Sequence, residues 1–261
     1  MLLKRQKKCK KSKQIFFMAT NPMQQFSVHR IGPEIKIAGI DISFTNASLF
    51  MLISAATICL FLFLGTKEKK MIPNKIQLIA EMFYNFVAKM ISDTAGSKAK
   101  PYFPFIFCLF MFVLFCNMVG MLPYSFTVTS HIIVTLILAI FIFIAVTVIG
   151  FAKHGFKYLK IFVPSGVPTL LLPLITVIEI ISYLSRPVSL SVRLFANMMA
   201  GHTMLKVFGG FVISLGLLGG WLPLGFSVAL TGLEILVAFL QAYVFAILTC
   251  IYLNDALNLH H

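Results

Sequence analysis

From Phe162 to Leu253 the chain runs for about ninety residues with only five charged side chains, Glu179, Arg186, Arg193, Lys206 and Glu234. A soluble domain carries roughly 25% charged residues. This chain carries 11% over all its 261 residues, with 59% hydrophobic and 27 phenylalanines. Several further apolar stretches approach or exceed the ~18 residues that mark a membrane-spanning helix. The sequence therefore predicts an all-α, multi-pass membrane protein, with no room for a separate soluble domain.

Five cysteines (Cys9, Cys59, Cys108, Cys116, Cys250) show no ligand spacing, and four lie in apolar stretches. There Cys acts as a small hydrophobe, so neither a disulfide framework nor a metal site is expected. No glycine loop of the nucleotide-binding kind is present, and no cofactor is expected. The net charge of +14 invites a nucleic-acid reading, but its distribution opposes one. Seven of the 22 basic residues fall within the first 13 positions, and most of the others sit in short loops beside apolar spans. That is the pattern of membrane topology and of contact with anionic lipid.

Along the chain, residues 1–17 read as a basic leader and 18–46 as a mixed polar segment. A first span is expected at about Ala47 to Leu64. After the basic loop Lys67 to Lys70, Pro73 opens an amphipathic helix over about 72–92, too polar to span and suited to the interface. Spans follow at about Tyr102 to Leu122 and His131 to Ala152, separated by the uncharged link Pro123 to Ser130. A second basic loop carries Lys153, His154, Lys157 and Lys160. The last stretch, about 168–255, reads as two long helices, 168–213 and 224–255. Gly209-Gly210 and Gly216 to Pro223 are its breakers. At 1.5 Å per residue both helices exceed the ~30 Å hydrocarbon core. They must tilt steeply or bend at Pro173, Pro187 and the glycines. About five membrane helices and one interfacial helix result, forming a single membrane domain over 47–261.

The basic loops 65–75 and 153–160 belong on the cytoplasmic or matrix side, and the link 123–130 on the other. One span precedes loop 65–75, which puts residues 18–46 on the outer face. Their charges Arg30, Glu34, Lys36 and Asp41 sum to zero, as suits an exported tail. The seven positive charges of residues 1–17 would resist export, so Met18 is expected to be the mature start, Met1 being the alternative.

Arg193 lies in the otherwise apolar or small stretch Val188 to His202. A guanidinium keeps its proton, and at mid-membrane it costs at least ~2.5–3.5 kcal/mol. At 100° per residue Asn197 and Glu179 share its face, and His202 lies opposite. Glu179 is ~21 Å away along a helix, too far to pair, so the anion must come from the other long helix or from another protein. The final helix carries a polar stripe of Glu234, Gln241, Tyr252 and Asp255, which suits a water- or proton-accessible seam. Asp255 also fits a plain helix-end contact with water, and Arg186 and Lys206 fit side chains reaching polar surfaces. A fixed cation among groups that exchange protons (Glu179, His202, Glu234, Asp255) suits a proton path controlled by a permanent charge.

The segment Ser185-Arg186-Pro187-Val188-Ser189-Leu190-Ser191-Val192-Arg193-Leu194-Phe195-Ala196-Asn197-Met198-Met199-Ala200-Gly201-His202 resembles the signature of the subunit a family of the rotary F-type ATP synthase. So do Leu240 to Phe245 with Ile251 to Asp255, and Asn117 with Met121 to Phe126. The resemblance covers about residues 18–258. It implies a stator subunit, without catalysis of its own, standing beside a ring of small subunits that each bear one membrane carboxylate. It implies contact with peripheral-stalk membrane subunits and other synthase subunits, and nucleotide sites elsewhere. Arg193 would face the ring carboxylates and separate two aqueous half-channels. Glu179, His202 and Glu234 would line the outer one, with Asn197 and Gln241 as polar neighbours of the arginine. Asn117, Tyr252 and Asp255 are weaker carry-overs. Positions 202 and 234 trade His and Glu within the family, which places the two together across the hairpin. Leu190 and Asn197 would both lie on the ring-facing side.

A free-standing ion channel or secondary transporter is the alternative, but such folds often show paired internal repeats, and none is visible. A purely structural scaffold leaves Arg193, Asn197, Glu234 and Gln241 unexplained. The N-terminal and C-terminal segments resemble alphaproteobacterial members, which favours a bacterial inner membrane over a mitochondrial one.

Overall fold

The computed structural model describes residues 26–31, 36–37, 40–41, 43–67, 72–122, 125–162 and 171–258. The expected leader 1–17, Met18 and the loop residues Glu68, Lys69 and Lys70 lie outside the described residues. Among the described residues six α-helices dominate: α1 (Asn46–Lys67), α2 (Lys75–Ala95), α3 (Phe103–Gly120), α4 (Ile132–His154), α5 (Leu172–Gly219) and α6 (Trp221–Leu257). Ahead of them a two-residue antiparallel ladder pairs Lys36 with Asp41 (β1, Lys36–Ile37; β2, Ile40–Asp41). It leaves the helical class untouched. Among the described residues five helices are long and apolar enough to cross a membrane, all but α2. The chain is an integral, multi-pass membrane protein.

The helix ends follow local chemistry. Short 3-10 segments, Ser97–Tyr102 and Val128–Ser130, lead into α3 and α4. Pro104 sits in the first turn of α3, where its missing N–H is no loss. His131 is the residue before α4 and stacks on Phe126 at 5.0 Å. α4 ends in Lys153 and His154, at Gly155 with φ +57°, and the basic segment Gly155–Phe162 follows.

The core lies where α6 packs on α3, α4 and α5, with α1 and α2 against α3. α6 contributes Ala238, Ala242, Phe245, Ala246, Cys250 and Leu253, a stripe at three- and four-residue spacing. Its small members let helices approach closely, as membrane packing requires. α3 answers with Ile106, Phe110, Val113 and Asn117, all fully buried. One face of α2 enters this core through Val87, Met90 and Ile91, while Leu78, Ile79 and Met82 stay exposed.

The long hairpin departs from expectation in its hinge. Gly209 and Gly210 do not break α5, which continues to Gly219. Pro173 lies at the helix start and Pro187 within continuous helix. Inside α5 the non-helical backbone is at Gly216, with φ +62°, a conformation that costs glycine least. The turn is therefore far tighter than the expected eight residues, because Trp221 to Pro223 already belong to α6. The helical stretches Leu172–Gly216 and Trp221–Leu257 have 45 and 37 residues. They measure about 67 and 55 Å, so neither stands upright in a ~30 Å core.

Candidate functional site

α5 buries a narrow stripe of Leu190, Leu194 and Met198, spaced one turn apart. Burying that stripe leaves Arg193 and Asn197, themselves one turn apart, on an exposed face. Val188, Val192, Leu233 and Leu236 are exposed as well. Among the described residues no carboxylate pairs with Arg193. Leu190 is 2% exposed and is not on this face, contrary to expectation. It belongs to the stripe that seats α5 on its neighbours.

Two polar bridges join α5 to α6, one on each side of Arg193. The first is His202 with Glu234. Nδ1 of His202 stands 3.2 Å from Oε1 of Glu234, with side chains 11% and 5% exposed. The two atoms stand close without an aligned hydrogen bond, and both Glu234 oxygens are buried without a hydrogen-bond donor among the described residues. The other ring nitrogen, Nε2, lies 2.9 Å from Oγ1 of Thr127. Gly201 makes the approach of Glu234 possible, since a Cβ there would stand 2.8 Å from Oε1 of Glu234. A cleft of about 230 Å³, lined by Asn197, Gly201, Met204, Leu230 and Glu234 among others, runs between Glu234 and Asn197 on the Arg193 face. It has room for several waters.

The second bridge is Arg186 with Asp255. Nη1 donates to Oδ2 at 3.4 Å, with side chains 30% and 36% exposed. The guanidinium also sits over the rings of Tyr252 (5.0 Å) and Tyr183 (5.6 Å). The Tyr183 hydroxyl lies 3.0 Å from that of Tyr158 and 2.8 Å from Thr147 Oγ1. Arg186 thus meets a specific carboxylate and two aromatic faces, and not the general polar surface expected for it.

The polar stripe of α6 faces α5 and the interior, as Glu234 and Gln241 are buried and Tyr252 and Asp255 half-buried. Gln241 keeps a buried Oε1 with no hydrogen-bond partner among the described residues. Asn117 is fully buried on α3, and its Nδ2 donates to the Ala238 carbonyl at 3.3 Å. Its placement ties α3 to α6. Glu179 is half-buried near the start of α5. Twenty-three residues, about 35 Å of helix, separate it from His202. The expected grouping of Glu179 with His202 and Glu234 is not formed, because Arg193 lies between them on one continuous helix.

Thr127 and Gly201 escaped the sequence reading. Thr127 lies in a link with no periodicity to mark it. Gly201 stood next to His202, but only the crossing of α6 shows what its missing Cβ admits.

Fold and site define a multi-pass helical membrane protein with paired ionisable groups along an inner helix seam and, at Arg193, a fixed cation with no carboxylate partner among the described residues. A family model described as the ATP synthase A chain matches residues 48–254. An ATP synthase subunit a from Pelagibacter ubique is 80% identical over 244 residues, 94% of this chain and all of that one. One from Chelativorans sp. is 58% identical over 250 residues (94% and 100% of the two chains), and one from Rhizobium johnstonii is 60% identical over 247 residues (92% and 98%). The chain belongs to the ATP synthase A chain family. Its function is that of the proton-translocating stator subunit of the F-type synthase, and its partners are the other subunits of that complex.

Proposed function

We propose that Arg193 is the electrostatic barrier between two proton half-channels, and that its missing anion is a carboxylate carried past it by a ring of small subunits. The carrying observation is geometric. Arg193 is exposed on an apolar face, has no carboxylate among the described residues, and stands between two polar bridges. It is seven residues from Arg186 and nine from His202, about 10 and 13 Å along α5. An unpaired guanidinium facing hydrocarbon is costly, and a ring carboxylate relieves that cost by pairing.

Each bridge associates with one side of the membrane. His202 touches Thr127 in the uncharged link, and the Phe26 ring of the N-terminal segment stands 6.5 Å from it. Arg186 and Asp255 lie with Tyr183, which bonds Tyr158 of the basic segment. Loop charge assigns the first to the outer face and the second to the inner. Glu234 and His202 then take a proton from outside and pass it through the cleft beside Asn197 to the ring. Arg193 cannot carry it further. The proton rides the ring and leaves past Tyr252 and Asp255, with Glu179 on this inner side. Gln241 and Asn117 are buried amides that can hold water between the helices. Each crossing delivers ~2.3 kcal/mol per 100 mV. This subunit holds no nucleotide chemistry of its own and contacts the ring, the peripheral stalk and lipid. The alphaproteobacterial relatives support a bacterial inner membrane. Arg193→Ala tests the reading: ATP synthesis falls to background while the assembled complex remains at normal levels. Full coupling in that variant contradicts it.

A further inference from the structure

We propose that Thr127 is a positioning residue that fixes which nitrogen of His202 carries hydrogen, so that Nδ1 meets Glu234 with its lone pair free. This rests on the reading that His202 and Glu234 carry protons. Thr127 is 4% exposed and leads into the short 3-10 turn Val128–Ser130, which packs against α5. Its hydroxyl makes two contacts. It donates to the Gly120 carbonyl at 3.2 Å, and it lies 2.9 Å from His202 Nε2. Gly120 is the last residue of α3, where carbonyls lose their helical partners and seek others. Gly120 must be glycine for this approach, because a Cβ there would stand 2.7 Å from the Thr127 methyl.

A hydroxyl has one proton. Thr127 shares the Gly120 carbonyl with Ser125 Oγ, which lies 2.9 Å from it; with its proton directed to that carbonyl, Thr127 accepts from His202, so Nε2 carries hydrogen. Neutral His202 must then present a bare Nδ1 to Glu234, 3.2 Å away. In that tautomer the pair holds one proton in either of two forms: carboxylic acid beside imidazole, or carboxylate beside imidazolium. Moving between them breaks one O–H bond, forms one N–H bond and leaves the Thr127 bond in place. Without the hydroxyl, neutral His202 can adopt the opposite tautomer. Nδ1–H then donates to a carboxylate, and Nδ1 has no lone pair to receive the incoming proton. Among the described residues no other side chain bonds Nε2.

The test uses membrane vesicles carrying the whole synthase, with the amount of assembled complex measured alongside ATP-driven proton pumping across a pH series. Thr127→Val is expected to lower pumping per complex by tenfold or more and to shift the pH–rate profile by at least half a unit. Thr127→Ser, which keeps the hydroxyl, restores both. In a His202→Ala background, Thr127→Val has no further effect. Should Thr127→Val prevent assembly, Thr127→Ala supplies the same comparison. Wild-type pumping and profile in the Val or Ala variant overturn the proposal, as does failure of Ser to restore them. An undiminished Thr127→Val loss on top of His202→Ala also overturns it. Normal pumping by His202→Ala alone sinks the underlying site reading, whereas impaired His202→Ala with normal Thr127→Val sinks only this inference.

Discussion

The two bridges between α5 and α6 have the same ingredients and opposite settings. His202–Glu234 is almost closed to solvent, holds two groups that both exchange protons, and is supported by one hydroxyl and one missing Cβ. Arg186–Asp255 is about one-third exposed, holds one group that cannot exchange, and is braced by two aromatic rings. Burial makes the first sensitive to every proton and every tenth of an ångström. Partial hydration makes the second tolerant, since solvent replaces what a lost partner provided. The contrast suggests that uptake is governed by a dry relay and release by a wetter opening.

Substitutions on each side break or sharpen that contrast. Glu234→Gln keeps the shape of the buried bridge and removes its exchangeable proton. It is expected to cut ATP-driven pumping about 100-fold, in the range of a lost acid–base group. Gly201→Ala is expected to cost about tenfold, because the new methyl must displace the Glu234 carboxyl from 2.8 Å. Restoring the rate by lowering the bulk at position 234, with Asp, would confirm a steric cause. Arg186→Gln is expected to cost about fivefold or less, since an exposed pair contributes roughly 0–1 kcal/mol. A larger loss from Arg186→Gln than from Gly201→Ala, measured in the same vesicles, would reverse the assignment of dry and wet sides.

Much of this was legible in the chain. The spans came from apolar run length, and their observed limits differ by a few residues. Arg193 with Asn197, and Glu234 with Gln241, followed from their isolation in apolar sequence and from helical spacing. What spacing cannot show is what crosses a helix. The loop residue Thr127 meets His202 across 75 positions, and Arg186 meets Asp255 across 69. Both contacts depend on the crossing of helices far apart in sequence, which no local pattern encodes. Gly209 and Gly210 misled for the opposite reason. Paired glycines lower helix propensity, but in an apolar surrounding no water competes for their backbone bonds, and α5 runs through them.

The central claim is that the exposed face bearing Arg193 and Asn197 is covered by ring subunits whose carboxylates pass the arginine. Oxidative crosslinking tests it most directly. Asn197→Cys is combined in the assembled synthase with a cysteine one helical turn from the ring carboxylate, and Leu190→Cys serves as the buried control. The account predicts a disulfide-linked product for position 197 and none for position 190. No product at 197, or at Val192 on the same exposed side, in a complex that still makes ATP would contradict it.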